Sequence, residues 1–226
     1  MRDSYIRFFS EGYISKEQFF EFGLKETIYA PFDQAEREWE SLKKRITNNE
    51  EVFIRGFGRD ANGTHLFQEL YERLVGNSNV KKDSTNNAEP TKIIRELTGY
   101  SKTKSSKHEL IRNYQISHIF GRTKNVYAFT APWNIVYMPK MLDPFTGHEA
   151  KGDMIDEYTI LFQKQGYKQF AKLIDDFNEI ICNPNFIDKL NYCLDELSRD
   201  DSFKTKDIEK LKTAVTNEFM PIEIQA

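Results

Sequence analysis

The sequence predicts an α+β fold in which a small unit of two strands and a helix is embedded between an N-terminal mixed region and a C-terminal helical region. Three observations predict it. After residue 152, apolar residues recur at three- and four-residue intervals through "MIDEYTILFQKQG", "YKQFAKLIDDFNEIIC", "NPNFIDKLNYCLDELSRD" and "TKDIEKLKTAVTNEFM", the period of helices that bury one face. Two short runs alternate instead. In the first, Tyr114, Ile116 and His118 share a face; in the second, Ile135 and Tyr137 oppose Val136 and Met138, as strands require. Charge also sets the middle apart: residues 100–151 carry eight Lys and Arg against three acids, whereas residues 153–226 carry fifteen acids against nine bases. The divisions that follow are 1–100, 101–152 and 153–226.

The elements follow in order. In "ISKEQFFEFGLKE" Ser15 and Gln18 have the spacing of a capping box that opens a short helix. "APFDQAEREWESLKKRITNNE" repeats that spacing with Asp33 and Glu36 and lines Trp39, Leu42 and Ile46 along one face. Val52, Ile54 and Phe57 alternate ahead of Asn62-Gly63, which predicts a strand and a tight hairpin turn. "THLFQELYERLVGN" places Leu66, Leu70 and Leu74 in helical register and stops at Gly76. "NSNVKKDSTNNAEP" is polar with no apolar period and reads as a loop; Pro90 then opens a short helix. Near the end, Gly166, Asn183-Pro184 and Asp200-Asp201-Ser202 separate four helices.

Composition narrows the function classes. A chain of 226 residues, 39% apolar and 30% charged, is globular rather than disordered. No run of about 18 apolar residues exists, so no membrane partner is expected. The start "MRDSYIRFFSEGYISKEQ" lacks a basic segment followed by an apolar block, so a cytoplasmic protein without a signal peptide is expected. Cys182 and Cys193, eleven apart, form neither a CxxC nor a disulfide framework. "GFGRDANG" lacks the Gly-Lys-Ser/Thr ending of a phosphate-cradling loop. Residues 100–151 nevertheless sum to +5 while the rest of the chain sums to −8. A basic segment inside an acidic protein is a local attractor for phosphates.

That basic segment also holds two of the four histidines, His118 and His148. "NYQISHI" is the first strand, "FGRTKN" a polar excursion, "APWNIVYMP" the start of the second strand, and "KMLDPFTGHEAKG" a turn followed by a short helix carrying His148. Such a unit can bring two imidazoles together. Histidine accepts a proton from water near neutral pH, and an imidazole can also hold a divalent metal. Arg122 and Lys124, four and six residues after His118, are placed to clamp phosphates, with Asn125 beside them.

"SHI", then Asn134 in "WNIVYMP", then "GHEAKG" resembles the HNH endonucleases, the ββα-metal or His-Me-finger nucleases. The resemblance covers about forty residues. It implies that His118 activates water, that Asn134 fixes the loop between the strands through bonds to its backbone, and that His148 binds the metal. Ser117 stands where many family members carry an acid or a second His. Asn134 and His148 are fourteen residues apart, longer than the family's usual spacing, and Asp143 stands nearer that spacing as a second oxygen ligand.

The implied function is a metal-dependent endonuclease cutting double-stranded DNA, of the bacterial type II restriction or related defence kind. Mg or Mn would be its cofactor, with Zn also open. A homodimer would suit a symmetric cutter. The same residues leave open an RNase or toxin nuclease, or a non-catalytic nucleic-acid-binding protein with a degenerate motif.

Overall fold

The computed structural model describes residues 3–56, 63–85, 87–146 and 150–224. Helix α1 (Ser4–Ser10) is opened by the Asp3 carboxylate, which accepts from the Tyr5 and Ile6 amides. Helix α2 (Lys16–Glu26) opens on the Ser15–Gln18 capping box, with both reciprocal bonds made. Helix α3 (Phe32–Thr47) differs from expectation at its start. It begins on Pro31 with no side-chain cap, which leaves Asp33 in the first turn, where a negative charge suits the helix's positive end. Its buried face is Ala35, Trp39, Leu42 and Ile46.

Strand β1 (Val52–Ile54), helix α4 (Thr64–Val75) and strand β2 (Val80–Lys82) form a parallel crossover unit, with Val52 opposite Val80. The expected hairpin at Asn62-Gly63 does not form: β1 takes its partner from beyond α4, and Gly63, at φ 79°, enters that helix. Phe57 and Asn62 lie outside the described residues. The polar stretch read as a loop therefore contains a strand. It also contains Asp83, fully buried, whose carboxylate accepts from the amides of Thr85, Ala88 and Glu89 at 2.7–3.0 Å. Those bonds open helix α5 (Ala88–Thr98), with Pro90 in its first turn. Strands β3 (Tyr100–Ser101) and β4 (Glu109–Leu110) make a short parallel pair.

Strands β5 (Tyr114–His118) and β6 (Ile135–Pro139) pair antiparallel, with Ile116 opposite Tyr137 and His118 opposite Ile135. All five residues of β6 are buried. Its two faces serve different cores: Ile135 and Tyr137 join a cluster running from Ala30 to Ile222, while Val136 and Met138 join Phe19, Phe20, Phe145 and Tyr158. The first of these clusters draws residues from all three divisions of the chain. Ile28 and Tyr137 exchange backbone bonds of 2.8 and 3.1 Å on the free edge of β6.

A 3-10 helix spans Lys140–Phe145, followed by α6 (Asp153–Ile181), α7 (Pro184–Arg199) and α8 (Thr205–Glu218). The expected stop at Gly166 is absent. Helix α6 runs through it for 29 residues and bends at Phe170, whose φ and ψ are −131° and 23°. Gly166 has a packing role instead: a Cβ there would lie 2.9 Å from Ile119 Cγ2, so a bare backbone lets the end of β5 seat on α6. No helix among the described residues is long and apolar enough to cross a membrane. Cys182 is exposed, Cys193 is buried, and both are free thiols.

Candidate active site

The site is built from the loop that joins β5 to β6. Asn134, with no solvent exposure, accepts from the Phe120 amide at 2.9 Å and donates to the carbonyls of Gly121 at 2.9 Å and Ala128 at 3.0 Å. One amide side chain thus ties both ends of the loop, using the acceptor and the two donors an asparagine offers. Asn134 faces the loop rather than the cavity described below, so it positions other groups instead of touching a substrate.

The loop presents the Phe129 carbonyl to His118 Nε2 at 2.9 Å, and the Phe129 ring stacks on the imidazole with centroids 5.4 Å apart. A carbonyl oxygen can only accept, so Nε2 carries the proton and Nδ1 keeps the lone pair. Burial pushes the His118 pKa down to about 4; the Phe129 carbonyl opposes this and the Arg55 charge adds to it. The ring is therefore neutral at neutral pH.

His118 lies on the wall of a cavity of about 540 Å³ that also includes Arg55, Ser117, Arg122, Asp143 and Glu218. Asp143, half-buried, comes from the 3-10 helix, and the end of that helix is tied to β5 by the Ser117–Thr146 hydroxyl pair at 3.2 Å. His118 and Asp143 thus face one space. His148 lies outside the described residues, as does the segment expected to form its helix. Among the described residues no group of three His, Cys, Asp or Glu could hold a metal ion. Asp143, Ser117 and Thr146 are among the oxygen-bearing side chains that line the cavity.

A family model described as "Uncharacterised protein PM1201" matches residues 30–224. The chain belongs to this family. A relative from Pasteurella multocida (strain Pm70), itself described as uncharacterized protein PM1201, is 44% identical over 181 residues, 80% of each chain. No solved structure matches the chain. The span matched by the family model contains every cavity residue named above and leaves α1 and α2 outside.

Within this member of the family, three expected phosphate contacts are placed differently. Arg122 does line the cavity, in the left-handed region at φ 56°, with Nη1 donating to the Asn217 carbonyl. Lys124 does not: it is 6% exposed, with its ammonium 5.6 Å from the centre of the Phe67 ring. Asn125 is fully buried, donating to the Glu218 carbonyl and accepting from the Tyr127 amide. Both were expected to be polar excursions of a solvated loop, but Glu218 and Tyr71 draw the loop inward. The Glu218 carboxylate accepts from the amides of Lys124 and Asn125 at 3.0 and 2.9 Å, and the Tyr71 hydroxyl donates to the Lys124 carbonyl at 2.6 Å.

Neither Glu218 nor Asn87 was assigned from sequence, and Arg55 was read only as a DNA contact on the expected hairpin. Glu218 gives no local signal, since it joins the loop from more than ninety residues away. Burial pushes its pKa up to about 7, against the two amides and the charges of Arg122 and Lys124. Arg55 was expected on a hairpin, but β1 pairs in parallel, and the Arg55 amide donates to the Thr123 carbonyl at 2.9 Å. That bond brings the end of β1 beside His118.

Proposed function

We propose that the chain is a metal-dependent endonuclease of the HNH kind, hydrolysing phosphodiester bonds of double-stranded DNA in the cytoplasm, as a type II restriction or related defence enzyme. The observation that carries the reading is the fixed tautomer of His118. Nε2 is committed to the Phe129 carbonyl, which leaves the Nδ1 lone pair to act on a cavity with two arginines in its wall.

In this reading His118 Nδ1 takes a proton from water, the water oxygen attacks phosphorus, and the bond to the leaving sugar oxygen breaks. An anionic phosphate beside the ring raises the imidazole's pKa from about 4, toward the value a general base needs. Asn134 acts by holding the loop that carries the Phe129 carbonyl. The metal would be held by Asp143 together with His148, whose part rests on the sequence resemblance alone. The oxygen-rich donors around Asp143 suit a hard cation, Mg or Mn, better than Zn. Such an ion supplies charge neutralisation at the scissile phosphate and support for the departing oxygen.

The test is digestion of plasmid duplex, single-stranded DNA and RNA side by side, with Mg or Mn. Duplex cleavage is expected, and His118→Ala should reduce it by roughly 10²–10⁴ while gel-shift binding persists. Undiminished cutting by that variant removes the catalytic assignment. Cutting of RNA alone moves the protein to the ribonucleases, and failure to cut any of the three with either metal ends the nuclease reading.

A further inference from the structure

We propose that Arg55, Asn87 and Arg122 form a phosphate-binding subsite on the wall of the His118 cavity, separate from the proton-handling ring and suited to a backbone phosphate next to the one being cut. The three residues come from distant parts of the fold. Arg55 follows β1, Asn87 precedes α5, and Arg122 lies in the loop after β5. All three line one cavity.

Each also carries a buried polar atom without a hydrogen-bond partner among the described residues: Arg55 Nε, Asn87 Oδ1 and Arg122 Nε. Only six such side-chain atoms are found among the described residues, and three of them belong to residues that line this cavity. A buried polar atom left unpaired costs about 1–3 kcal/mol, so such atoms are few in a folded protein and call for a reason. Their convergence on one space is explained if a ligand supplies the missing partners.

The charges fit an anion. Arg55 makes no ion pair among the described residues. Arg122 spends one arm on the neutral Asn217 carbonyl. Glu218 also lines the cavity; its carboxylate accepts from the amides of Lys124 and Asn125, and its charge also acts on Arg122, which leaves Arg55 as the guanidinium with no carboxylate partner among the described residues. Asp143 is the other acid that lines the cavity among the described residues. Two guanidiniums offer the planar donor pairs that phosphate oxygens match.

Asn87 is free for this work for a specific reason. It occupies the N-cap of α5, yet its side chain makes no capping bond. Asp83 already accepts from the amides of Ala88 and Glu89. An amide released from capping can turn either its oxygen or its NH₂ toward a ligand, and so can pair with a phosphate oxygen or with a protonated one.

The subsite's place in catalysis rests on the nuclease reading, but its occupancy by inorganic phosphate does not. The experiment is calorimetric titration of the full chain with inorganic phosphate at constant ionic strength, on wild type, Arg55→Gln, Arg55→Lys, Asn87→Ala and His118→Ala. Circular dichroism verifies that each variant is folded. Saturable binding by wild type is expected, weakened at least tenfold by Arg55→Gln, less by Asn87→Ala, and partly retained by Arg55→Lys. No saturable binding overturns the subsite. So does equal binding by folded Arg55→Gln, or binding lost in His118→Ala but kept in Arg55→Gln. Phosphate bound through Arg55 without cleavage of any nucleic acid keeps the subsite and removes the nuclease. Cleavage with phosphate binding indifferent to Arg55 does the reverse.

Discussion

The two walls of the cavity are held in different ways. The wall behind His118 is fixed by side chains that each satisfy several backbone groups: buried Asn134 makes three such bonds, half-buried Glu218 accepts two amides through its carboxylate, and buried Tyr71 bonds the Lys124 carbonyl and the Val126 amide. The wall that carries Asp143 is tied to β5 by the hydroxyl pair of Ser117 and Thr146, and the Thr146 hydroxyl also reaches the Asp143 carbonyl at 3.2 Å. One wall is set by polar side chains that satisfy backbone groups; on the other, the 3-10 helix is anchored by the fully buried Leu142 and Phe145, and the hydroxyl ties beside Asp143 are ones that solvent can replace at little cost. In the proposed nuclease, preorganisation matters most at the base, which takes its proton in one direction. An oxygen ligand to a hard cation tolerates more adjustment.

Substitutions can break this contrast. The largest effect is expected from Asn134→Ala, which leaves the Phe120 amide and the Gly121 carbonyl unpaired and the Ala128 carbonyl with the Ala131 amide alone. At about 1–2 kcal/mol for each of the two unpaired groups, and less for the Ala128 carbonyl, it should destabilise the fold by roughly 2–5 kcal/mol, read as a lowered urea midpoint. Gly166→Ala comes next. A methyl placed 2.9 Å from Ile119 Cγ2 pushes on the residue after His118, at a cost of about 1–3 kcal/mol, and cleavage should fall with stability. Ser117→Ala and Thr146→Val should each cost under about 1 kcal/mol. If either costs more than Asn134→Ala in the same urea series, the contrast between the walls is wrong.

Acid and base titrations sharpen the same contrast within the first wall. His118 has a folded pKa of about 4, below its unfolded value of about 6.5. Its contribution to stability is therefore complete above the unfolded value and is lost as pH falls from there toward 4. Glu218 runs the other way: with a folded pKa of about 7 against an unfolded value near 4.3, its contribution is complete below the unfolded value and is lost as pH rises toward 7. The two slopes oppose each other between the two unfolded values. Urea midpoints measured from pH 4 to 8 should show His118→Ala losing the acid-side decline, and Glu218→Gln losing the decline toward neutrality. An unchanged pH profile in Glu218→Gln would mean that the carboxylate is not held as described.

Much of the fold was legible because its period is strong. The stripe of α3 and the alternation of β6 follow from spacing, and β6 places its residues on the two faces that the alternation implies. Gly166 was misread because a breaker and a close-packing residue look identical in one sequence; only the neighbour, Ile119, distinguishes them. Strand β2 was invisible because Val80 is its one buried residue, too little for any periodic signal. The hairpin at Asn62-Gly63 was a sound local reading overridden by a longer-range pairing. At the site, His118 and Asn134 stood in the order the resemblance required. Arg55, Asn87 and Glu218 could not be found that way, since what makes them candidates is a meeting of segments far apart in the chain.

The clasp between Glu218 and the amides of Lys124 and Asn125 has a bearing on how the protein comes into being. A ribosome that has released the first two hundred residues has made the imidazole, its carbonyl partner and both arginines, yet the last turn of α8 does not exist. Until that turn arrives, the stretch from Arg122 to Asn125 lacks the acceptors that draw it inward. Fastening of the cavity wall is thus deferred until α8 has emerged, and a chain cut short before residue 217 carries His118, Phe129 and both arginines without the fastening that sets the loop in place.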